Sequence, residues 1–134
     1  MPRARITPEQ NKSKKEAYYA KLAGDVNRSL KYHWQQARKG AVNRNIEFTI
    51  TVEDILELWE TQRGLCKLSK IPMTITHGTN TSQNPTKVSI DRIDSSIGYH
   101  IHNIQLITWQ LNCGKSVWSN KQLIDLCKTV AACQ

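Results

Sequence analysis

Between Thr7 and Lys39 the apolar residues Tyr19, Leu22, Val26, Leu30, Trp34 and Ala37 recur at intervals of three and four. That spacing lines them up on one stripe of a helix. Thr7, Pro8 and Gln10 supply a start: a capping hydroxyl, a proline at the first helical position, and an amide that reaches back to the cap. Gly24 is placed to split the segment into two helices, and residues 39–45 read as a polar turn. Residues 47–50 alternate as a short strand. Thr51 and Asp54 form a second capping signature, opening a helix with Ile55, Leu58 and Trp59 inward and Gly64 at its end. Residues 76–87 are a polar loop in which His77 has no assigned role. Residues 88–93 and 104–107 read as two strands around a turn-rich loop that holds Asp94, Ser95, Ser96 and Gly98. Thr108 is placed to cap a short helix carrying Leu111, Asn112 and Lys115. Ser119 and Gln122 open a last helix with Leu123, Cys127 and Val130 inward. The class is α+β, mainly helical, with a two-strand core between basic N-terminal helices and a C-terminal helix.

Charge divides the chain unevenly. Residues 1–45 hold eleven Lys and Arg against three Asp and Glu, whereas residues 46–134 hold eight of each. The cationic excess lies wholly in the N-terminal third, which points to a polyanionic partner. Residues 1–6 read as a disordered basic tail. Arg28, Lys31, Gln35 and Arg38 follow one another at helical spacing, and with Lys39 they make a stripe able to track a DNA backbone. At 134 residues the chain has room for one core. Residues 1–45 are expected to form a basic helical DNA-binding arm and residues 46–134 one compact unit. No run approaches the roughly 18 apolar residues of a membrane helix, and no apolar leader opens the chain, so a cytoplasmic location with no membrane partner is expected. Cys66, Cys113, Cys127 and Cys133 are then expected as reduced thiols.

Strand, loop, strand and helix bring Asp91 and Asn112 together although 21 residues separate them. One carboxylate oxygen and one amide oxygen suit a hydrated Mg²⁺ or Mn²⁺, which takes few protein ligands and keeps its waters for phosphate. Lys115 lies one helical turn beyond Asn112, so both are expected to face the same phosphate.

The run Ser89-Ile90-Asp91-Arg92-Ile93-Asp94, followed by Gly98-Tyr99, Asn103-Ile104-Gln105, and Asn112 with Lys115, resembles the ββα-metal core of the HNH endonucleases, in the form common in bacteriophages. The likeness extends over about residues 45–130, taking in Gln62 to Leu68 before the core and Trp118 to Cys127 after it. It implies a metal-dependent endonuclease acting on double-stranded DNA through one ion, of the free-standing homing type. A phage-encoded protein of that kind would work in the host cytoplasm. It also implies that Asn103 braces the loop without touching metal. Many such enzymes carry a zinc ribbon of paired C-x-x-C motifs. Here Ser69 and Ser116 stand where the second cysteines would be, so no structural zinc is expected. Where the family often has a histidine after the metal-binding Asp, this chain has Arg92, which stays protonated and suits a phosphate clamp. The general base is then sought first at Asp94, by analogy with D-R-x-H nucleases, provided that burial raises its pKa. His102 comes second, with His100 beside it. A branched-DNA resolvase and a catalytically inactive DNA-binding protein are the alternatives. The sequence leaves the oligomeric state open.

Overall fold

Two helix starts on either side of residue 24 organise the N-terminal third. In the computed structural model, which describes residues 4–23, 25–75 and 84–134 (residues 18–23 by backbone alone), α1 spans Pro8–Ala23 and α2 spans Val26–Asn43. The Thr7–Gln10 box closes reciprocally, with Gln10 N donating to Thr7 Oγ1 at 3.2 Å and Thr7 N to Gln10 Oε1 at 3.0 Å. Asp25 caps α2 by accepting from Arg28 N at 3.1 Å. Helix α2 outruns the turn expected at residues 39–45. Ala41 is fully buried, so packing carries the helix through Gly40, and the chain turns only at Asn45, with φ 55°. Ile46 N donates to Ala41 O and Asn45 N to Val42 O, a left-handed cap in which Asn45 takes the place usual for glycine. Tyr19, Leu22, Gly24, His77 and most of the 76–87 loop lie outside what is described in side-chain detail.

Helix α3 (Val52–Gln62) starts on the Thr51–Asp54 capping box and ends through Arg63 and Gly64, both at positive φ. Strands β1 (Val88–Arg92) and β2 (Ile104–Thr108) pair antiparallel, with Asp91 opposite Gln105. Helix α4 (Trp109–Lys115) packs on both strands and completes a ββα unit. Thr108 occupies the cap position, but its side chain makes no capping bond. Helix α5 (Asn120–Ala132) begins on the Ser119–Gln122 box. Of its expected inward face only Leu123 is buried; Cys127 and Val130 are exposed, because no described segment covers them. The expected 47–50 strand is a single parallel bridge between Phe48 and Tyr99, since the 93–103 loop runs beside it for one residue only.

Strand β2 is buried along its whole length, with α3 on one side and α4 on the other. Helix α2 adds Leu30 and Ala41 to the same core as Ile55, Val88, Leu106 and Ile107. Residues 26–43 therefore share one core with the ββα unit and α3. Removing Leu30 alone should cost about 2–5 kcal/mol. No helix among the described residues is long and apolar enough to cross a membrane.

The 93–103 loop is held against residues 47–49: Tyr99 N donates to Glu47 O at 2.8 Å and Thr49 N to Tyr99 O at 3.0 Å. A Cβ on Gly98 would lie 2.5 Å from the Glu47 carbonyl oxygen. Gly98→Ala should therefore cost about 1–3 kcal/mol in urea unfolding, the range for forced overpacking. Unchanged stability would show that the loop and residues 47–49 do not touch in solution.

Candidate active site

Asp91 sits on β1 with its carboxylate turned under α4. Its Oδ2 accepts from Lys115 Nζ and from Gln105 Nε2, each at 2.9 Å. Lys115, in the last turn of α4, is fully buried and Asp91 is 5% exposed. The ammonium also donates to Arg92 O at 2.9 Å and to Ile93 O at 3.4 Å, so three donors meet three acceptors. Gln105 in turn forms a reciprocal amide pair with Asn120: Nε2 donates to Asn120 Oδ1 at 2.8 Å and accepts back, through Oε1, at 3.1 Å. One buried polar chain thus ties the start of α5 to β2, β1 and the end of α4. This corrects the expectation that Lys115 faces phosphate. Spacing puts Asn112 and Lys115 on one side of α4, but the last turn packs onto β1 and its lysine points inward.

Beside this network lies a cleft of about 300 Å³, lined by Arg44, Ile90, Asp91, Arg92, Ser95, Tyr99, Asn112, Ser116 and Val117. Asn112 Nδ2 donates to Ser89 Oγ at 2.6 Å, which orients the amide. Among the described residues, neither Asp91 Oδ1 nor Asn112 Oδ1 accepts a hydrogen bond. One carboxylate oxygen and one amide oxygen thus remain for a ligand in the same cleft. Both are hard donors, and the set fits a divalent ion that keeps most of its waters. No cluster of three or more His, Cys, Asp or Glu able to hold a metal occurs among the described residues. At the position of a zinc ribbon, burial pushes the Cys66 thiol up, but hydrogen bonds from the Ser69 hydroxyl and from the Ser69, Thr108 and Leu68 backbone outweigh it. The net shift is downward.

Asn103 ties the two sides of the 93–103 loop together through its side-chain amide. Its Oδ1 accepts from Asp94 N at 2.9 Å, and its Nδ2 donates to Asp94 O at 3.0 Å and Gly98 O at 2.9 Å. Asp94 is exposed and lies outside the cleft lining. Its Oδ1 accepts from the Ser96 hydroxyl at 2.6 Å and from Ser96 N at 2.9 Å. Those two bonds, with help from Lys115 and Arg92, hold its pKa below the usual 3.8. A general base there needed burial and a raised pKa; the structure shows the reverse, a loop-closing carboxylate. His102 is exposed and off the cleft, and His100 is held by Thr49 Oγ1 at 2.9 Å with Glu47 3.7 Å from its other nitrogen.

Arg92 does line the cleft. Its Nη1 donates to Ser95 O at 2.7 Å and Ile97 O at 3.1 Å, and its guanidinium carbon lies 5.4 Å from the Tyr99 ring centroid. Arg28, Lys31, Arg38 and Lys39 are all exposed on α2; Arg28 lies 3.9 Å from Asp25, and Arg38 sits over Trp34 at 5.6 Å. Ser89, Gln105, Asn120 and Arg44 were given no role from the sequence, although Ser89 and Gln105 stand in the run that carries the resemblance. Gln105 carried a readable sign, a polar residue inside an otherwise apolar strand. Arg44 carried none, because its place follows from where α2 stops.

No family model matches the chain, and no curated protein matches it significantly. Among solved structures, that of PacI, a rare-cutting HNH restriction endonuclease described for its DNA perturbation, covers 78% of this chain and 78% of its own, at 20% identity and a TM-score of 0.58. The fold is therefore that of an HNH nuclease.

Removing Lys115 would leave Asp91 buried without its cation and two carbonyls without a donor. Lys115→Ala should cost about 3–5 kcal/mol in urea unfolding, as for one half of a buried ion pair, and Asp91→Asn with Lys115→Met should cost clearly less. A Lys115→Ala variant as stable as wild type would place the ammonium in solvent.

Proposed function

We propose that this HNH-fold protein is a DNA endonuclease that hydrolyses phosphodiester bonds with one divalent ion, Mg²⁺ or Mn²⁺, held by Asp91 and Asn112. The observation that supports the reading is that Asp91 and Asn112, each keeping one side-chain oxygen without a hydrogen-bond donor among the described residues, line one cleft of a ββα unit together with Arg92. When bound, the ion would neutralise charge at the phosphate and stabilise the leaving oxygen. The chain's own residues do the rest. Arg92, anchored by two loop carbonyls, turns its remaining N–H groups to a non-bridging phosphate oxygen. Lys115 holds Asp91 in place and does not touch substrate. The exposed cations of α2 carry the flanking backbone of double-stranded DNA. Water attacks phosphorus, the P–O bond to the leaving sugar breaks, and the departing sugar oxygen takes a proton from solvent. With Asp94 and His102 off the cleft, the water's proton passes to a phosphate oxygen or to solvent.

A second reading, an inactive DNA-binding protein, draws on the same cleft: no lining residue is a histidine. Supercoiled plasmid incubated with Mg²⁺ or with EDTA separates the two. The nuclease converts it to nicked or linear DNA in Mg²⁺ only; binding without conversion in either Mg²⁺ or Mn²⁺ would establish the binder. In the same assay Asn112→Ala should be inactive, whereas Asn112→Asp keeps measurable activity because it still offers an oxygen. Asp94→Asn and His102→Ala should each lose less than about tenfold, against the ~10²–10⁴ that removal of a general base costs. A loss in that larger range for either would restore it as the base. Because the Asp94 pKa lies below its ordinary value, its ionisation falls in acid, and Asp94→Asn should leave the pH–rate profile near neutrality unchanged.

A further inference from the structure

Arg44 lies outside the ββα unit, yet its guanidinium reaches the cleft from the end of α2. Its Nε donates to Gly40 O at 3.2 Å and its Nη2 to the Tyr99 hydroxyl at 3.4 Å. A Cβ on Gly40 would make only ordinary contact with that nitrogen, at 3.7 Å, so the placement of Arg44 does not depend on the glycine. Tyr99 is held in turn by Phe48, with ring centroids 5.1 Å apart, and carries Arg92 over its ring. Two arginines therefore converge on one buried tyrosine, one at its hydroxyl and one at its face. Neither makes an ion pair among the described residues. The carboxylate lining the same cleft, Asp91, is already neutralised by Lys115. The cleft thus keeps two uncompensated guanidinium groups with N–H donors to spare, a strong demand for an anion.

We propose that Arg44 and Arg92, spaced by Tyr99, form a phosphate-binding clamp that engages one DNA phosphate without a metal ion. Its identification with a DNA phosphate rests on the nuclease reading; its charge and geometry do not. The blander role for Arg44 is that of a helix-end cap through Gly40 O, and the two roles predict different measurements.

The test is binding of a short DNA duplex in EDTA, with the dissociation constant followed against salt concentration. A clamp gives wild-type binding without metal, and Arg44→Ala flattens the log–log salt slope by about one, the contribution of one phosphate contact. Arg44→Lys restores the slope because it restores the charge. Lys121→Gln, on the exposed side of α5, leaves it unchanged and controls for net charge. Arg44→Gln, which keeps a donor for Gly40 O but no charge, should behave as Arg44→Ala and serves if the alanine variant fails to fold. A lower melting temperature with an unchanged slope would reduce Arg44 to a helix cap and overturn the proposal, as would absence of duplex binding in EDTA. Plasmid cleavage by wild type in Mg²⁺ is scored separately. Cleavage with no Arg44 effect on slope sinks the clamp and leaves the nuclease standing, and the reverse pattern sinks the nuclease and leaves the clamp.

Discussion

The buried ion pair between Asp91 and Lys115 is the interaction on which the rest of the site depends. Two charges taken out of water repay their desolvation only when their remaining hydrogen-bonding capacity is met. Here it is met by Gln105 on the carboxylate side and by the Arg92 and Ile93 carbonyls on the ammonium side. Those partners come from β2, from the last residue of β1 and from the first residue of the 93–103 loop. The pair therefore fixes the depth of α4 on β1, the course of the chain leaving β1, and the orientation of the carboxylate. What remains of Asp91 is one oxygen without a donor among the described residues, on a residue that lines the same cleft as the Asn112 amide bonded to Ser89. A chain of satisfied buried polar groups has few alternative arrangements, so it rigidifies the ligand it carries.

The same economy governs the cations. Lys115 spends its charge inside the protein and fixes a carboxylate. Arg92 uses one nitrogen to close its loop and keeps the others free. Arg44 uses two weaker bonds for placement and remains largely available. Along α2, Leu30 and Ala41 face the core while Arg28, Lys31, Arg38 and Lys39 face solvent, so one helix both supports the hairpin and presents the basic face. Charge on that face is better tested by substitution than by deleting the helix, which would also remove part of the core.

Local chemistry was readable in the sequence wherever it was self-contained. Each of the three capping boxes closes around its own four residues, and the strand–loop–strand–helix order sufficed to pair Asp91 with Asn112. Asn103 was legible for the same reason, since its partners lie within nine residues. What could not be read depended on where elements stop and which way they roll. Gly40 looks like a helix end, yet with Ala41 buried α2 runs on to Asn43, and that extension delivers Arg44 to the cleft. Lys115 and Asn112 share a side of α4 by spacing, but Asn112 lines the cleft while Lys115 is fully buried on Asp91. Asp94 has the right spacing for a base, and only its bonds to Ser96 show that its proton affinity moves the wrong way. The exposed apolar side of α5 has the pattern of a buried one; periodicity marks a face without saying what covers it.

The central claim is that Asp91 and Asn112 together hold one divalent ion, and Mn²⁺ tests it directly in nitrogen-edited proton spectra of the protein without DNA. Substoichiometric Mn²⁺ should broaden the Asn112 side-chain amide and the backbone amides of residues 89–92 before any others. The Asn112→Ala variant, which keeps the Asp91–Lys115 pair, should lose that selective broadening. Broadening centred on His100, His102 or the Asp94–Ser96 turn, or broadening that survives in Asn112→Ala, would contradict the assignment.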